Sequence, residues 1–155
     1  PLDRIDVVIH PESIVHSLVE FVDGSVLAQM SPPDMRYAIQ YALTWPERRD
    51  GGLPPLDLVK ASPLHFRAPD PARFPGLGLA RRAAAAGGTL PAVMNAANEE
   101  AVALFLEGRI PFAGIWRTVG AVMDRHAPIS QPGLEAILEA DRWARTAARE
   151  ALAGG

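Results

Sequence analysis

Two histidines and a serine near the N-terminus are the first side chains of the sequence with chemical potential. His10 and His16 are six residues apart, and an even separation places both on one face of a strand unless a bend at Pro11 separates them. The i, i+4 spacing of a helical zinc site is absent. Ser13 lies between Glu12 and His16, but a Ser–His–Asp triad is set by geometry and not by closeness in sequence. Spacing alone therefore favours two hydrogen-bonded histidines near a sheet over a metal ligand or a hydrolase nucleophile and base.

Other motifs with chemical potential have simple structural interpretations. Asn95 and Asn98 lie in a helical, apolar context, where they are expected to cap the helix or bond a neighbouring loop. Gly76 and Gly78 form a GxG pattern, but no strand precedes it and no third glycine completes it, so an irregular helix start is favoured. The chain has no cysteine, which excludes disulfides and thiolate metal sites within it.

The overall composition limits the classes of partner. The chain has 155 residues, of which 48% are hydrophobic and 21% are charged, with a net charge of −3. This apolar fraction is sufficient for a packed core in one domain or two small ones. The mildly acidic balance argues against a nucleic-acid partner. No apolar run approaches the roughly 18 residues of a membrane helix, so no membrane partner is expected.

Three zones of composition predict an α+β fold. Residues 1–45 are rich in β-branched and apolar types, residues 46–74 in proline, and residues 75–155 in alanine, leucine, arginine and glutamate. Strands followed by a connection and then by helices do not form alternating βαβ units. We therefore expect a small antiparallel sheet and a helix, a proline-rich ordered crossover, and a C-terminal antiparallel helix bundle.

The first zone predicts a three-stranded meander over residues 5–9, 14–21 and 25–30. Asp23-Gly24 separates the last two runs, and Asp-Gly is a strong hairpin signal because glycine accepts a positive φ. Apolar residues fall on both sides of residues 14–21, which predicts cover on both faces of that strand.

Five helices are predicted after the meander. The first begins at an Asp34 cap, shares Met35, Ile39 and Leu43 along one face, and ends at Pro46. The C-terminal helices are predicted over 75–86, 91–107, 113–126 and 132–152, with glycines where C-caps belong. The tryptophans, Trp45, Trp116 and Trp143, are interpreted as core or interface anchors. Arg48-Arg49 is interpreted as solvated surface.

Short motifs run in order along the whole chain. They are His10-Pro-Glu-Ser-Ile-Val-His-Ser17, Asp23-Gly-Ser-Val-Leu-Ala-Gln29, Pro33-Asp-Met-Arg36, Trp45-Pro-Glu-Arg48, Pro55-Leu-Asp57, Ala68-Pro-Asp70, Phe74-Pro75, Asn95-Ala-Ala-Asn-Glu99 and Glu139-Ala-Asp141. One such motif is unspecific, but the ordered set resembles the 1-deoxy-D-xylulose 5-phosphate reductoisomerase family.

The resemblance implies that the chain is the C-terminal portion of a longer enzyme. Residues 1–45 then correspond to the end of the catalytic and dimerisation domain, 46–74 to the linker and 75–155 to the C-terminal helical domain. Family members convert 1-deoxy-D-xylulose 5-phosphate to 2-C-methyl-D-erythritol 4-phosphate with NADPH and Mg²⁺ or Mn²⁺, in cytoplasmic non-mevalonate isoprenoid biosynthesis. They are homodimers built partly through the sheet region.

The family's nucleotide-binding glycine loop and metal-binding acidic residues have no counterpart in the sequence. The resemblance therefore implies no catalytic residue or metal ligand in this chain, no turnover by the chain alone and no tight binding of NADPH or metal. A rival hypothesis is a stand-alone, non-catalytic dimerisation or interaction module derived from that enzyme.

The resemblance also implies four binding residues. Ser13 and His16 match positions on the substrate and nicotinamide side of the site, where a neutral histidine could orient a hydroxyl or phosphate. Pro33 and Met35 match positions beside the nicotinamide, where apolar groups suit a ring edge. Structural alternatives remain: Met35 could belong to a helix core, and Ser13 could cap a turn.

The sequence departs from the family pattern at three sites. Ser31-Pro32 stands where a glycine and an acidic residue are usual, Tyr37 where a small hydroxyl residue is usual, and Gly76 where cysteine is common. The first two lie beside the expected cofactor contact.

Overall fold

A computed structural model describes residues 1–153 and shows an α+β arrangement. A short 3-10 helix, Leu2–Arg4, precedes two strands, β1 (Val15–Glu20) and β2 (Val26–Met30). The helices are α1 (Arg36–Thr44), α2 (Leu58–Ala61), α3 (Gly76–Ala86), α4 (Leu90–Leu106), α5 (Gly114–Arg125) and α6 (Leu134–Ala153). The fold class, the hairpin, α1 and the four C-terminal helices were all predicted from the sequence.

The chain forms two compact units, one of residues 7–69 and the other of residues 1–6 with the chain from Asp70 onward. These bounds differ from the segments 1–45, 46–74 and 75–155 expected from composition. The proline-rich residues up to 69 belong to the same unit as the sheet, and the first six residues belong to the unit that holds α3 to α6.

Strands β1 and β2 pair as an antiparallel hairpin around the predicted Asp-Gly turn. The register runs from Glu20 opposite Val26 to Val15 opposite Met30, with an irregularity between Val15 and Ser17. Gly24 adopts a φ of 81°, and Asp23 Oδ1 accepts hydrogen bonds from the backbone and hydroxyl of the following serine. The turn is therefore built by the residues that signalled it.

Two expectations about the sheet were wrong. Residues 5–9 form no strand, and Ile9 instead makes an isolated antiparallel bridge to Arg67. Sequence alternation could not reveal this partner, because it lies far along the chain. Strand β1 also lacks cover on both faces, since every residue after Val15 is exposed.

Helix α1 begins at Arg36 with Met35 in the N-cap position, one residue after the predicted Asp34 cap. Asp34 Oδ1 accepts the Arg36 N–H at 2.9 Å, which satisfies one free donor of the first turn. The predicted apolar face is present but uncovered by the described residues: Ile39 is 53% exposed and Leu43 is 81% exposed. Trp45, at the end of α1, is 71% exposed, so it is no core anchor among the described residues, and its role as an interface anchor stays a prediction.

The second unit holds the core. Helix α4 packs against both α5 and α6, and α3 packs against α4. The centre is made largely of small side chains that are fully buried, among them Ala96, Ala97, Ala144 and Ala148. Small side chains let helix backbones approach closely, so each contact between these helices is sensitive to volume. No helix within residues 1–153 is long and apolar enough to cross a membrane.

A buried polar contact joins the start of α4 to the connection between α5 and α6. The Thr89 side chain is fully buried, and its Oγ1 accepts the Ile129 N–H at 3.1 Å and lies 2.7 Å from His126 Nε2. The Thr89 N–H in turn donates to the Ile129 carbonyl at 3.2 Å. One hydroxyl at the start of α4 thus satisfies two groups of the α5–α6 connection, 37 and 40 residues further along the chain.

Candidate functional site

A cavity of about 1070 Å³ lies within the unit of residues 7–69. Its walls come from the turn before β1, the end of β2, the loop after β2, helix α1 and the residues that follow α1. All four predicted binding residues line it: Ser13, His16, Pro33 and Met35. They come from two separate parts of the sequence, one at the start of β1 and one just before α1, which the hairpin brings to one concave surface.

Ser13 is held by a turn with an unusual backbone. Its N–H donates to the His10 carbonyl at 3.1 Å, closing a four-residue turn in which Pro11 is the second residue. Ser13 itself has a φ of 52°, which is uncommon for a residue other than glycine. On its other side, the Ile14 carbonyl accepts the Ser31 N–H at 3.1 Å. The surroundings therefore impose this conformation on Ser13.

His16 lies on β1 and contacts the end of β2. Its Nε2 lies 3.1 Å from the Ser31 carbonyl oxygen, and because a carbonyl only accepts, Nε2 carries the proton in this bond. A neutral ring then presents Nδ1 as an acceptor for a hydroxyl. Ser31 is buried and meets His16 through its backbone, so its departure from the family pattern leaves this contact intact.

Pro33 and Met35 form an apolar part of the wall. Met35 is 72% exposed, so it is no part of a helix core in the described residues. Between them, Asp34 forms an ion pair with Arg36 at 2.6 Å. The Arg36 guanidinium, together with the Arg36 backbone N–H, holds the Asp34 pKa below its ordinary value. The carboxylate beside the apolar surface thus has its own counter-charge.

Sequence reasoning missed a cationic and aromatic group on the same cavity. Tyr41, Trp45, Arg48 and Arg49 all line it, and the two arginines are exposed, as their interpretation as solvated surface expected. The Arg48 guanidinium lies 3.8 Å from the centre of the Tyr41 ring, a cation–π contact. The Trp45-Pro-Glu-Arg48 motif was visible in the sequence and was the signal that could have found this group.

The departure at Tyr37 has a structural consequence. The Tyr37 hydroxyl donates to the Pro54 carbonyl and so ties α1 to the proline-rich segment. A small hydroxyl side chain at this position would be too short to reach the Pro54 carbonyl. This chain therefore fixes one side of its cavity with a bond that depends on the phenol.

Metal ligands are not assembled within the described residues. No group of three or more His, Cys, Asp or Glu side chains in residues 1–153 is arranged to hold a metal ion. His10 and His16 are two separately hydrogen-bonded histidines near the sheet, the arrangement that their spacing favoured over a metal site. His10 precedes β1 and bonds the His65 carbonyl at 2.8 Å, whereas His16 bonds Ser31.

A hairpin and a helix line a mixed apolar and polar cavity, and four helices follow them in the sequence, an α+β arrangement with a candidate ligand-binding site. Residues 30–147 match the family model described as the DXP reductoisomerase C-terminal domain. The chain belongs to the DXP reductoisomerase family.

Relatives and solved structures agree with this assignment. The 1-deoxy-D-xylulose 5-phosphate reductoisomerase of Symbiobacterium thermophilum is 58% identical over 97% of this chain and 39% of its own length. That of Pelotomaculum thermopropionicum is 61% identical over 92% of this chain and 37% of its own length. The Zymomonas mobilis enzyme in complex with NADPH aligns with a TM-score of 0.91 at 43% identity, covering 98% of this chain and 40% of that structure.

A second solved structure is a DOX-P reductoisomerase in complex with NADPH, fosmidomycin and magnesium. It aligns with a TM-score of 0.87 at 43% identity and covers 94% of this chain and 38% of that structure. The chain thus spans about two fifths of the length of the relatives that it matches.

Proposed function

We propose that this chain is the C-terminal portion of an NADPH- and divalent-metal-dependent reductoisomerase. The intact enzyme converts 1-deoxy-D-xylulose 5-phosphate to 2-C-methyl-D-erythritol 4-phosphate, in the cytoplasm, as a step of non-mevalonate isoprenoid biosynthesis. The observation that carries this proposal is the meeting of Ser13, His16, Pro33 and Met35 on one cavity. Similarity to enzymes solved with NADPH and with magnesium supports it.

The four residues divide into two roles. Ser13 and His16 bind the phosphosugar: the serine offers a hydroxyl, and the histidine offers Nδ1 to a substrate hydroxyl. Pro33 and Met35 supply an apolar wall for the nicotinamide ring. When bound, NADPH supplies the hydride and the divalent metal polarises substrate oxygens, both held mainly by the rest of the enzyme.

The sheet region is the proposed homodimer contact. Val19 and Leu27 pair across the hairpin, and they are 53% and 63% exposed. Within the described residues the sheet has only β1 and β2, so each strand leaves one edge unpaired. Apolar strands with unpaired edges favour association with another chain.

The dimer contact is tested on the full-length enzyme by sedimentation. A Val19→Lys, Leu27→Lys double variant is expected to shift the enzyme from dimer to monomer, because it buries two charges in the contact. Val22→Lys is the control, since Val22 lies at the hairpin turn and its side chain is fully exposed. Retention of the dimer by the double variant would contradict this contact.

Catalysis is tested by following NADPH oxidation in the presence of phosphosugar and Mg²⁺. The full-length enzyme is expected to turn over and the 155-residue chain is not.

Met35→Ala in the full-length enzyme is expected to raise the KM for NADPH about tenfold, since it removes roughly 1.4 kcal/mol of apolar contact. Glu107→Ala, on an exposed residue after α4, is the control.

The rival candidate is a non-catalytic dimerisation module. It predicts that the gene product in the source cells has the mass of the 155-residue chain and consumes no NADPH. A product with the length of the relatives and with turnover would exclude this candidate.

A further inference from the structure

A cluster of side chains behind the Ser13 turn is not explained by substrate or cofactor contacts. Glu12 Oε1 lies 2.5 Å from His65 Nδ1, and Glu12 Oε2 accepts the His65 backbone N–H at 3.0 Å. Both oxygens of one carboxylate thus bind one residue of the proline-rich segment. Glu12 lies directly before Ser13 in the sequence, and His65 is 53 residues further along the chain than Glu12.

The same two segments are joined at three further points. The Ile9 N–H donates to the Arg67 carbonyl at 2.8 Å, and the Arg67 N–H donates to the Ile9 carbonyl at 3.1 Å. His10 Nδ1 donates to the His65 carbonyl at 2.8 Å and also lies 3.1 Å from Glu12 Oε2. The ring of His10 stacks on Phe66 with centroids 4.6 Å apart. The turn that presents Ser13 is therefore docked on residues 65–67.

The charge of Glu12 is well defined. The hydrogen bonds from the His65 side chain and backbone lower the Glu12 pKa to about 2. The carboxyl group is therefore ionised throughout the neutral range, and it accepts these bonds without competition from its own proton.

The two hydrogen bonds between Glu12 and His65 form a clamp, and this clamp matters because Ser13 has an unusual backbone conformation. A non-glycine residue in the left-handed region is strained and persists where its surroundings impose it. Ser13, at a φ of 52°, has the pairing of Ile14 with Ser31 on one side. On the other side it has the turn from His10, which the contacts of Ile9, His10 and Glu12 dock on residues 65–67. Release of Glu12 removes the docking contact nearest to Ser13 in the sequence.

We propose that Glu12 and His65 are positioning residues that hold Ser13 in place for the phosphosugar. This inference rests on the proposed function, because it requires Ser13 to contact the substrate. Neither residue touches the cavity in the described structure; both act through the serine. Loss of the clamp weakens phosphosugar binding and leaves the nicotinamide wall at Pro33 and Met35 unaffected.

The test uses the full-length enzyme and compares the KM for phosphosugar with the KM for NADPH. Glu12→Ala is expected to raise the phosphosugar KM about tenfold or more and to leave the NADPH KM within about twofold. Glu12→Gln keeps an oxygen for the His65 N–H and is expected to restore the phosphosugar KM to within about threefold of wild type. His65→Ala keeps that N–H and is expected to have an intermediate effect.

The Glu12→Ala, Ser13→Ala double variant tests most directly whether Glu12 acts through Ser13. If Glu12 acts through Ser13, Glu12→Ala adds almost nothing to the effect of Ser13→Ala, since a lost hydroxyl needs no positioning. Asp23→Ala is the matched control: its carboxylate also accepts a backbone N–H in a turn of the same unit. Melting temperatures of all variants show whether a rise in KM comes from unfolding.

Three results would overturn the inference. Additive effects of Glu12→Ala and Ser13→Ala would show that Glu12 acts elsewhere. The Glu12→Ala variant could have the same phosphosugar KM as the Asp23→Ala control while Ser13→Ala raises that KM. This result would contradict the positioning role of Glu12 and leave the proposed function standing. An unchanged phosphosugar KM in Ser13→Ala itself would remove the substrate role of that serine, and with it the clamp.

Discussion

The stability of the helical unit depends on a single hydroxyl group, that of Thr89, which bonds the connection between α5 and α6. It is fully buried and satisfies both the Ile129 N–H and His126 Nε2. Thr89→Val keeps the side-chain volume but leaves these groups without their partner, so we expect the free energy of unfolding to fall by about 1–3 kcal/mol. Urea denaturation of the chain measures this change.

The control for this prediction is Thr146→Val on α6. The Thr146 hydroxyl also bonds a carbonyl, that of Arg142 at 3.2 Å, but the residue is exposed. Water replaces the lost bond there, and the expected change stays within about 0.5 kcal/mol. Equal effects of the two substitutions would show that burial of the Thr89 network is unimportant.

At the scale of elements, the packing of α4 against α6 depends on alanines. Ala144 is fully buried between these helices, with Ala97 and Ala148 also at 0% exposure. Ala144→Leu inserts three heavy atoms where no space exists, so we expect a loss of about 1–3 kcal/mol in the free energy of unfolding. Ala84→Leu, at an exposed position of α3, changes the same residue type and is expected to be nearly neutral. Chemical denaturation compares the two, and similar losses would contradict this view of the interface.

Elements with local signals were predictable from the sequence. The Asp23-Gly24 turn, the Asp34 start of α1 and the glycines around α4 each specify structure through neighbours a few residues away. The bridge from Ile9 to Arg67 and the helix α2 inside a proline-rich stretch were not predictable in this way. The bridge depends on a distant partner, and α2 is a single turn started by Asp57, whose carboxylate accepts the Val59 and Lys60 N–H groups.

The candidate site was likewise predictable where a local motif pointed to it and not where it depended on the fold. His16 and Met35 were found through motifs, and both line the cavity. Trp45 and Arg48 were present in a motif as well, but an aromatic or a cation has a simple structural interpretation at most positions. Only the fold shows that Arg48 stacks on Tyr41 at the cavity wall, because the two residues are seven positions apart and pair across the end of α1.

At the scale of the whole molecule, buried residues are unevenly distributed. In residues 7–69, Ser31 alone is buried, whereas both hydrophobic clusters lie in α3 to α6 and the α4–α5 connection. A fragment of residues 70–155 is therefore expected to unfold cooperatively on heating, and a fragment of residues 7–69 is not. Circular dichroism measures both transitions. A sharp transition in fragment 7–69 would show that the sheet unit folds without further chain.

The uneven core has a consequence for the order of events on the ribosome. Residues of the hairpin, with Val26 and Leu27 more than half exposed, are synthesised before the last core residue, Ala148. At about 5–20 residues per second, the growing chain carries an apolar hairpin for roughly 6–24 seconds before the bundle can close. During that interval the nascent hairpin is a natural client for chaperones, and slowing translation within α4 to α6 would lengthen the interval before the helical unit folds.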